Sequence, residues 1–476
     1  MAKNADTKSP GTLTSLRRKA VVGMLRAWRE LSGTARLAIT GEVHPTLPKE
    51  NIDHLRRQMN RCLNSKGGEI SARAHTVELG KTYLNLTEAG QAKFLTLLAT
   101  DFDIDRNRLT KCIEAFQNAR DKKDVSKQEN DLREALITPR STVLRQFNSL
   151  PDGFKFLVDM RADLMPLARK NASLKGLDYD LKNILSAWFD IGLLDLVEIT
   201  WDSSAAILEK LIAYEAVHKV RSWEDLKNRL DADRRVYGFF HNKMLHEPLI
   251  FLHVALTAGI SSNIQEILDE HSPVTDIKEA DTAVFYSISN AQRGLSGISF
   301  GNFLIKRVVD KLSRELKQIK HFVTLSPIPN FRTWLDPMLA KGDESLFLPK
   351  ETRELRIFTQ NDNAAKGLHH ILENEWHTDP KTAEKLKPIL TRLAVHYLLN
   401  EKNKVVALDP VAHFHLTNGA RLKRINWLAD TSGKGLKQSA GLMVNYYYDL
   451  DYIDSNHEDY VTEGKIAASR TVKGLL

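Results

Sequence analysis

Three short segments hold the residues whose types and spacing could do chemistry. In VTLSPIPNF (residues 323–331), Ser326 falls where an apolar run ends, and Pro327 and Pro329 stiffen the chain as it leaves. A serine at a strand end beside a rigid turn can project its hydroxyl into a cleft. It can also simply bond the turn backbone, and pattern alone favours that plainer use. In DPVAHFHLTNGARLKRINWLAD (residues 409–430), His413 and His415 flank Phe414, so an extended chain would point both to one side. No third ligand at metal-site spacing follows, and pattern alone reads such histidines as packed or surface residues. In FYSISNAQRGLSGISFGNF (residues 285–303), Gly294, Gly297 and Gly301 would let backbone approach a ligand closely. The helix expected to begin near Ser299–Asn302 would present free N–H groups and a positive dipole end, which suit phosphate or another anion. The segment is neither GxGxxG nor a Walker loop, so a plain strand–turn–helix remains as open as an anion cradle. His246-Glu247 lacks the second histidine of HExxH, and His369-His370 sits in a charged helical stretch expected at the surface.

The elements that must position these segments change in texture near residue 188. Before it, Leu13, Leu16, Ala20, Val21, Met24, Leu25 and Trp28 recur at helical spacing, as do Ile52, Leu55, Met59 and Leu63. Thr87 is a candidate helix N-cap, Asp105 to Leu136 reads as charged helix, and Ile137-Thr138-Pro139-Arg140 breaks it. After it, strands are expected over 193–201, 235–241, 249–256, 283–289 and 321–325. Helices over 203–219, 262–269 and 301–316 lie between them. Residues 341–375 read as a charged, loop-rich insertion and 383–399 as an amphipathic helix. The expectation is an α+β chain: an all-helical domain over 1–188, for packing and oligomerisation, then a mixed α/β domain over 189–476.

The bulk properties exclude several function classes. The chain has 476 residues, enough for two domains, with 42% hydrophobic and 27% charged residues. Its net charge of +8 is spread among interleaved acids and bases, without the basic stripe of a nucleic-acid binder. No apolar run is long enough to span a membrane. Cys62 and Cys112 form no CxxC pair, so neither a zinc site nor a disulfide framework is expected. The opening residues lack the apolar core of a secretory signal, and Lys473-Gly474-Leu475-Leu476 is not a peroxisomal address. A cytoplasmic protein is the default expectation.

Taken in order, these segments resemble the malonyl-CoA decarboxylases. FYSIS, GNFLIKRVV, LSPIPNF, DPVAHFHLTNGA, RINWLAD and GLMVNYYY read as that family's landmarks, with FLVDMRADL (156–164) and HEPLIFLHVALT (246–257) in support. The resemblance implies a helical N-terminal domain and a catalytic domain with a central sheet like that of GNAT-type acetyltransferases. By that likeness, Ser296, Gly297, Ile298, Ser299, Phe300, Gly301 and Asn302 would cradle the pyrophosphate of CoA. Ser287 and Tyr448 would join the substrate site. The family's catalytic serine falls on Ser326 and its catalytic histidine on His415, not His413. Some relatives carry a glutamate where this chain has Ser299, so that acid's part in proton handling is not carried over. A homotetramer is also implied.

The reaction so implied converts malonyl-CoA to acetyl-CoA and carbon dioxide. Loss of carbon dioxide leaves charge that the neighbouring thioester carbonyl takes up as an enolate, so the substrate carries its own electron sink and no cofactor or metal is expected. Ser326 would orient the malonyl carboxylate and His415 would protonate C2 directly or by relay. A nucleophilic Ser326–His415 dyad ranks lower, because decarboxylation needs no acyl transfer. Tyr446 is a further hydrogen-bonding candidate, and Lys306 and Arg307 could meet CoA phosphates, though their place inside a helix favours surface roles. The runner-up functions are an acyl-CoA N-acyltransferase and, further off, a CoA-sensing or oligomeric scaffold without turnover. The helical half has no evident chemistry.

Overall fold

The computed structural model describes residues 9–32, 43–64, 68–298 and 304–476. Its first part is helical: α1 (Ser9–Ser32), α2 (Lys49–Leu63), α3 (Gly68–Asn85), α4 (Glu88–Asp101), α5 (Arg106–Asn118), α6 (Lys122–Ala135), α7 (Pro139–Gln146), α8 (Gly153–Lys170) and α9 (Lys175–Trp188). Local chemistry sets several of these starts. Thr87 accepts the Gly90 N–H at the head of α4, and Thr138 accepts the Ser141 N–H ahead of Pro139 at the head of α7. The charged stretch expected to be helical forms α5 and α6, because Asp121 bonds the N–H groups of Lys123 and Asp124 and starts a second helix. Inside the bundle, Trp28, Tyr83, Phe94, Phe147 and Phe156 pack ring against ring. No helix among the described residues is long and apolar enough to cross a membrane.

The sheet starts at β1 (Leu194–Ile199), after which come α10 (Ala205–Tyr214) and α11 (Trp223–Asn228). Next are β2 (Arg234–His241), β3 (Ile250–Thr257), α12 (Ile264–Ile267), β4 (Thr282–Asn290), α13 (Leu304–Glu315), β5 (His321–Thr324) and β6 (Ser326–Pro327). The helices α14 (Phe331–Lys341), α15 (Pro349–Thr359), α16 (Ala364–Leu372) and α17 (Pro380–Asn400) then lead to a small hairpin of β7 (Lys402–Asn403) and β8 (Val406–Ala407). The chain closes with α18 (Pro410–Thr417), β9 (Arg421–Asn426), α19 (Gly433–Ser439), β10 (Met443–Tyr447), α20 (Ile453–Glu463) and α21 (Arg470–Lys473).

The large sheet runs β1-β2-β3-β4-β5-β10-β6, with β9 also on β10. Every pair is antiparallel except β4–β5, which α13 joins by a crossover. The fold is therefore the expected helical region followed by a mixed α/β domain with a mixed sheet. The parallel pair matters for position: β5 pairs with β10 at Val323↔Tyr447 and β6 at Ser326↔Val444, and Leu325 lies in the gap between them. At the gap Leu325 turns its N–H to the Phe285 carbonyl, and Asn445 Nδ2 takes the Thr324 carbonyl at 2.7 Å.

Two expectations need correction. Residues 341–375 are not a loop-rich insertion but carry α15 and α16. These bury Leu355, Ala364, Ala365, Leu368 and Leu372, leave most of their charges outside and pair Glu351 with Arg392. The helix expected over 203–219 stops at Tyr214, and the chain turns inward at the buried Glu215. One continuous apolar core runs from Met24 of α1 to Val472 of α21, so the helical region packs directly on the sheet.

Candidate active site

α18 borders two adjoining cavities that share part of their lining. Asp409 opens it by accepting the N–H groups of Val411 and Ala412, and Pro410 occupies the first turn, where a missing N–H costs nothing. Successive residues of a helix step around it by about 100°. His413 and Thr417 therefore face an outer cleft of about 810 Å³, while Val411 and His415 face an inner pocket of about 230 Å³. Pro410 and Phe414 border both cavities, as do Ile250 and Asn290. The histidine pair thus diverges, against the expectation of a shared side. The reason is the helix, which the Asp-Pro start imposes.

The inner pocket holds a chain of hydroxyls and one imidazole. Ser326 Oγ lies 3.0 Å from His415 Nε2 and 2.9 Å from Thr324 Oγ1. His415 Nδ1 lies 2.8 Å from the Tyr448 hydroxyl, and the ring stacks on Tyr446 with centroids 4.6 Å apart. Burial depresses His415 to about 3, so the ring is neutral near pH 7, and burial holds the Tyr448 phenol well above its usual range. Among the described residues, the buried Tyr448 hydroxyl has only Nδ1 as a hydrogen-bond partner. An O–H sealed in the core gives its proton to the acceptor it has. That fixes the other tautomer position: Nε2–H donates to Ser326, and Ser326 O–H donates on to Thr324. The serine therefore receives a hydrogen bond from the histidine instead of being deprotonated by it.

Ser287 also lines the inner pocket, at a bulge where β3 and β4 shift register after His253. Its hydroxyl donates to Glu215, 2.8 Å from each carboxylate oxygen. Glu215 further accepts the N–H groups of Val217 and His218 and the Ser289 hydroxyl. His253 Nε2 stands 3.2 Å away, at ion-pair distance but off the line of a hydrogen bond. Burial pushes the Glu215 carboxyl up, yet His253, the His218 N–H and Ser287 outweigh it and hold the acid well below the usual carboxylate range. No pattern in the sequence marks Glu215, a single acid just past an apolar helix.

Ser296, Gly297 and Ile298 line the outer cleft, as do Ala162, Met165 and Arg169 of α8. Gly297 has φ +73°, a left-handed conformation that favours glycine. Arg161 fixes this loop: Nη1 donates to the carbonyls of Gly294 (2.6 Å) and Ser296 (2.9 Å), while Nε pairs with Asp178. The helical region, read from sequence as having no evident chemistry, therefore supplies part of the cleft lining and anchors the adjoining loop. Ser299, Phe300, Gly301 and Asn302 lie outside the described residues. Lys306 reaches Asp454, and Arg307 donates to the Leu194 carbonyl beside the Phe239 ring. Among the described residues, no cluster of three or more His, Cys, Asp or Glu side chains could hold a metal ion.

Comparison with known proteins bears on what such a site serves. A family model described as malonyl-CoA decarboxylase C-terminal domain matches residues 192–476, and one described as malonyl-CoA decarboxylase N-terminal domain matches residues 102–189. A mitochondrial malonyl-CoA decarboxylase of Anser anser anser is 42% identical over 420 residues, covering 84% of this chain and 83% of the relative. The Mus musculus counterpart is 39% identical over 413 residues, covering 83% of each. The crystal structure of malonyl-CoA decarboxylase from Rhodopseudomonas palustris superposes with a TM-score of 0.81 at 40% identity, over 89% of this chain and 99% of that one. The enzyme from Agrobacterium vitis gives 0.80 at 39% identity over the same shares.

Proposed function

The chain belongs to the malonyl-CoA decarboxylase family and is a carboxy-lyase that converts malonyl-CoA to acetyl-CoA and carbon dioxide; from that premise we propose that Ser326 and His415 carry the reaction. The observation behind the assignment is the unbroken hydrogen-bond chain of Tyr448, His415 and Ser326 at the wall of the inner pocket. The outer cleft takes the CoA arm, with Ser296, Gly297 and Ile298 beside it. The malonyl group enters the inner pocket, where Ser287 forms part of the wall. Ser299, Phe300, Gly301 and Asn302 continue the proposed cradle.

The chemistry follows from proton balance. Malonyl-CoA carries a carboxylate, acetyl-CoA does not, and carbon dioxide leaves uncharged, so each turnover consumes one proton. A neutral His415 cannot supply it as an acid. An incoming malonyl carboxylate gives the ring a counter-charge in a desolvated pocket, which raises its pKa and draws a proton in with the substrate. The imidazolium then faces the developing enolate with an acidic N–H, where a positioned acid contributes typically about 10²–10⁴-fold. Ser326 turns its O–H from Thr324 to the substrate carboxylate and holds the scissile bond perpendicular to the thioester plane, so the breaking orbital overlaps the carbonyl. Because Ser326 accepts from His415 in the unliganded protein, a covalent acyl-serine is disfavoured. Rapid quenching during turnover, followed by intact-mass analysis, should find unmodified protein; a malonyl or acetyl adduct on Ser326 would overturn this order of events.

Three broader assignments complete the reading. The division at residues 188/189 is supported by α9 ending at Trp188 and β1 starting at Leu194. Assembly into a homotetramer through the helical half is supported by the exposed Phe116, Leu136 and Ile137 around α5 and α6; a monomer-sized particle by light scattering would contradict it. A cytoplasmic setting is supported by Cys62 and Cys112 remaining free thiols; fractionation with an organelle would contradict that.

A further inference from the structure

His413 plays no part in the chemistry above, yet it is held in one tautomer in the lining of the outer cleft. Its Nδ1 lies 2.9 Å from the Tyr460 hydroxyl, and that oxygen also receives the Ala407 N–H at 2.9 Å. Tyr460 is buried, and among the described residues its O–H has no acceptor other than His413 Nδ1. An oxygen occupied by a backbone donor gives its own proton outward. Tyr460 therefore donates to Nδ1, and His413 is left with a proton on Nε2. Among the described residues, that Nε2–H has no protein partner. The ring is exposed and forms part of the outer cleft wall.

Position along the helix narrows the ligand. His413 is two residues before His415, about 3 Å along the axis and about 200° around it. A substrate whose acyl group lies against His415 passes Phe414 and Pro410, which border both cavities, and then reaches His413. What lies there in a CoA thioester is the amide-bearing pantetheine arm, well short of the nucleotide. We propose that His413 is a binding residue that donates its Nε2–H to a pantetheine amide carbonyl, with Tyr460 as the residue that sets its tautomer. The inference rests on the reading of the outer cleft as the CoA channel.

The test compares the parent, His413→Ala, His413→Gln and Tyr460→Phe with malonyl-CoA and with malonyl-pantetheine, which lacks the nucleotide. The expected result for His413→Ala is a KM raised about tenfold with both substrates and kcat within about twofold of the parent, the loss of one donated hydrogen bond. His413→Gln, which keeps an N–H donor, should recover part of it. Tyr460→Phe should raise KM in the same direction with His413 in place. An unchanged KM in His413→Ala overturns the proposal, and an effect confined to malonyl-CoA overturns it too, because it moves the contact to the nucleotide. Gly294→Ala, which disturbs the loop that leads into the Ser296–Ile298 lining, separates the two readings. If it raises KM while His413→Ala does not, the cleft still takes CoA and only the role of His413 fails; if Gly294→Ala lowers stability and yet neither variant moves KM, the cleft reading fails as well.

Discussion

Tyr448 Oη stands 2.8 Å from His415 Nδ1, and both groups are buried. This contact decides which ring nitrogen carries the proton, and so whether Ser326 is offered a donor or a base. A tyrosine held well above its normal pKa cannot yield the proton outright, so the contact orients the ring without relaying through it.

Tyr448→Phe removes that orientation. The ring can then place its proton on either nitrogen. We expect kcat to fall about tenfold to a hundredfold with KM little changed, since the lost contact lies behind the histidine, away from the substrate. Steady-state kinetics of the folded variant check this; an unchanged kcat would show that the tautomer is set elsewhere.

Substrate binding should draw a proton from solution. His415 sits at about 3 in the unliganded protein, so at pH 7 it is unprotonated and its own titration leaves no inflection near neutrality in kcat/KM. Titration calorimetry with an unreactive malonyl-CoA analogue, run in two buffers of different ionisation heat, should report uptake approaching one proton per site. His415→Gln should report none. Equal enthalpies in the two buffers for the parent would contradict the linkage.

Gly294→Ala tests the grip of the helical region on the cleft. A Cβ at this position would meet the Val158 carbonyl oxygen at 1.8 Å, so α8 or the loop has to move. We expect a loss of about 1–3 kcal/mol in stability, as for an overpacked core, and a KM raised severalfold. Thermal unfolding and kinetics read the two effects separately. A variant with parental stability and KM would show that the contact yields without consequence.

Asp409 should make stability depend on pH. Burial lifts its carboxyl to about 6, against the N–H groups of Ala412 and Val411 that favour the charged form. The folded state therefore holds this proton more tightly than the unfolded chain, whose value is near 3.8. The stability so contributed is fully present below about pH 4 and is lost as the pH rises through about 6. Asp409→Asn keeps an acceptor for the helix start and cannot ionise. Denaturant unfolding should find it equal to the parent near pH 4 and more stable on the order of 3 kcal/mol above pH 7. A gap that does not widen between those values would contradict the assignment.

Much of this was legible in the sequence, for local reasons. Two prolines mark the end of the Ser326 strand, although pattern alone favours a serine that bonds the turn and only family likeness singles it out, and the strands of the sheet announce themselves as apolar runs between turn residues. His415 became distinct from His413 only through family likeness. The Asp409-Pro410 start, which is a helix signal, was available and would have shown that the two rings diverge. The helices α15 and α16 were obscured by charges that lie on their outer faces. Glu215 and Arg161 could not be found at all. Their roles exist because the fold brings Ser287 to one, 72 residues later in the chain, and the Gly294 carbonyl to the other, 133 residues later. The pairing of Tyr448 with His415 spans 33 residues, and no local pattern encodes it.

The most direct measurement is the release of carbon dioxide and acetyl-CoA from malonyl-CoA by the purified chain, with EDTA present, beside Ser326→Ala and His415→Ala. The account predicts turnover in the parent and a loss of roughly a hundredfold or more in each variant, with both variants folded and still able to bind acetyl-CoA. Turnover that survives both substitutions would contradict it and place the chemistry elsewhere in the cleft.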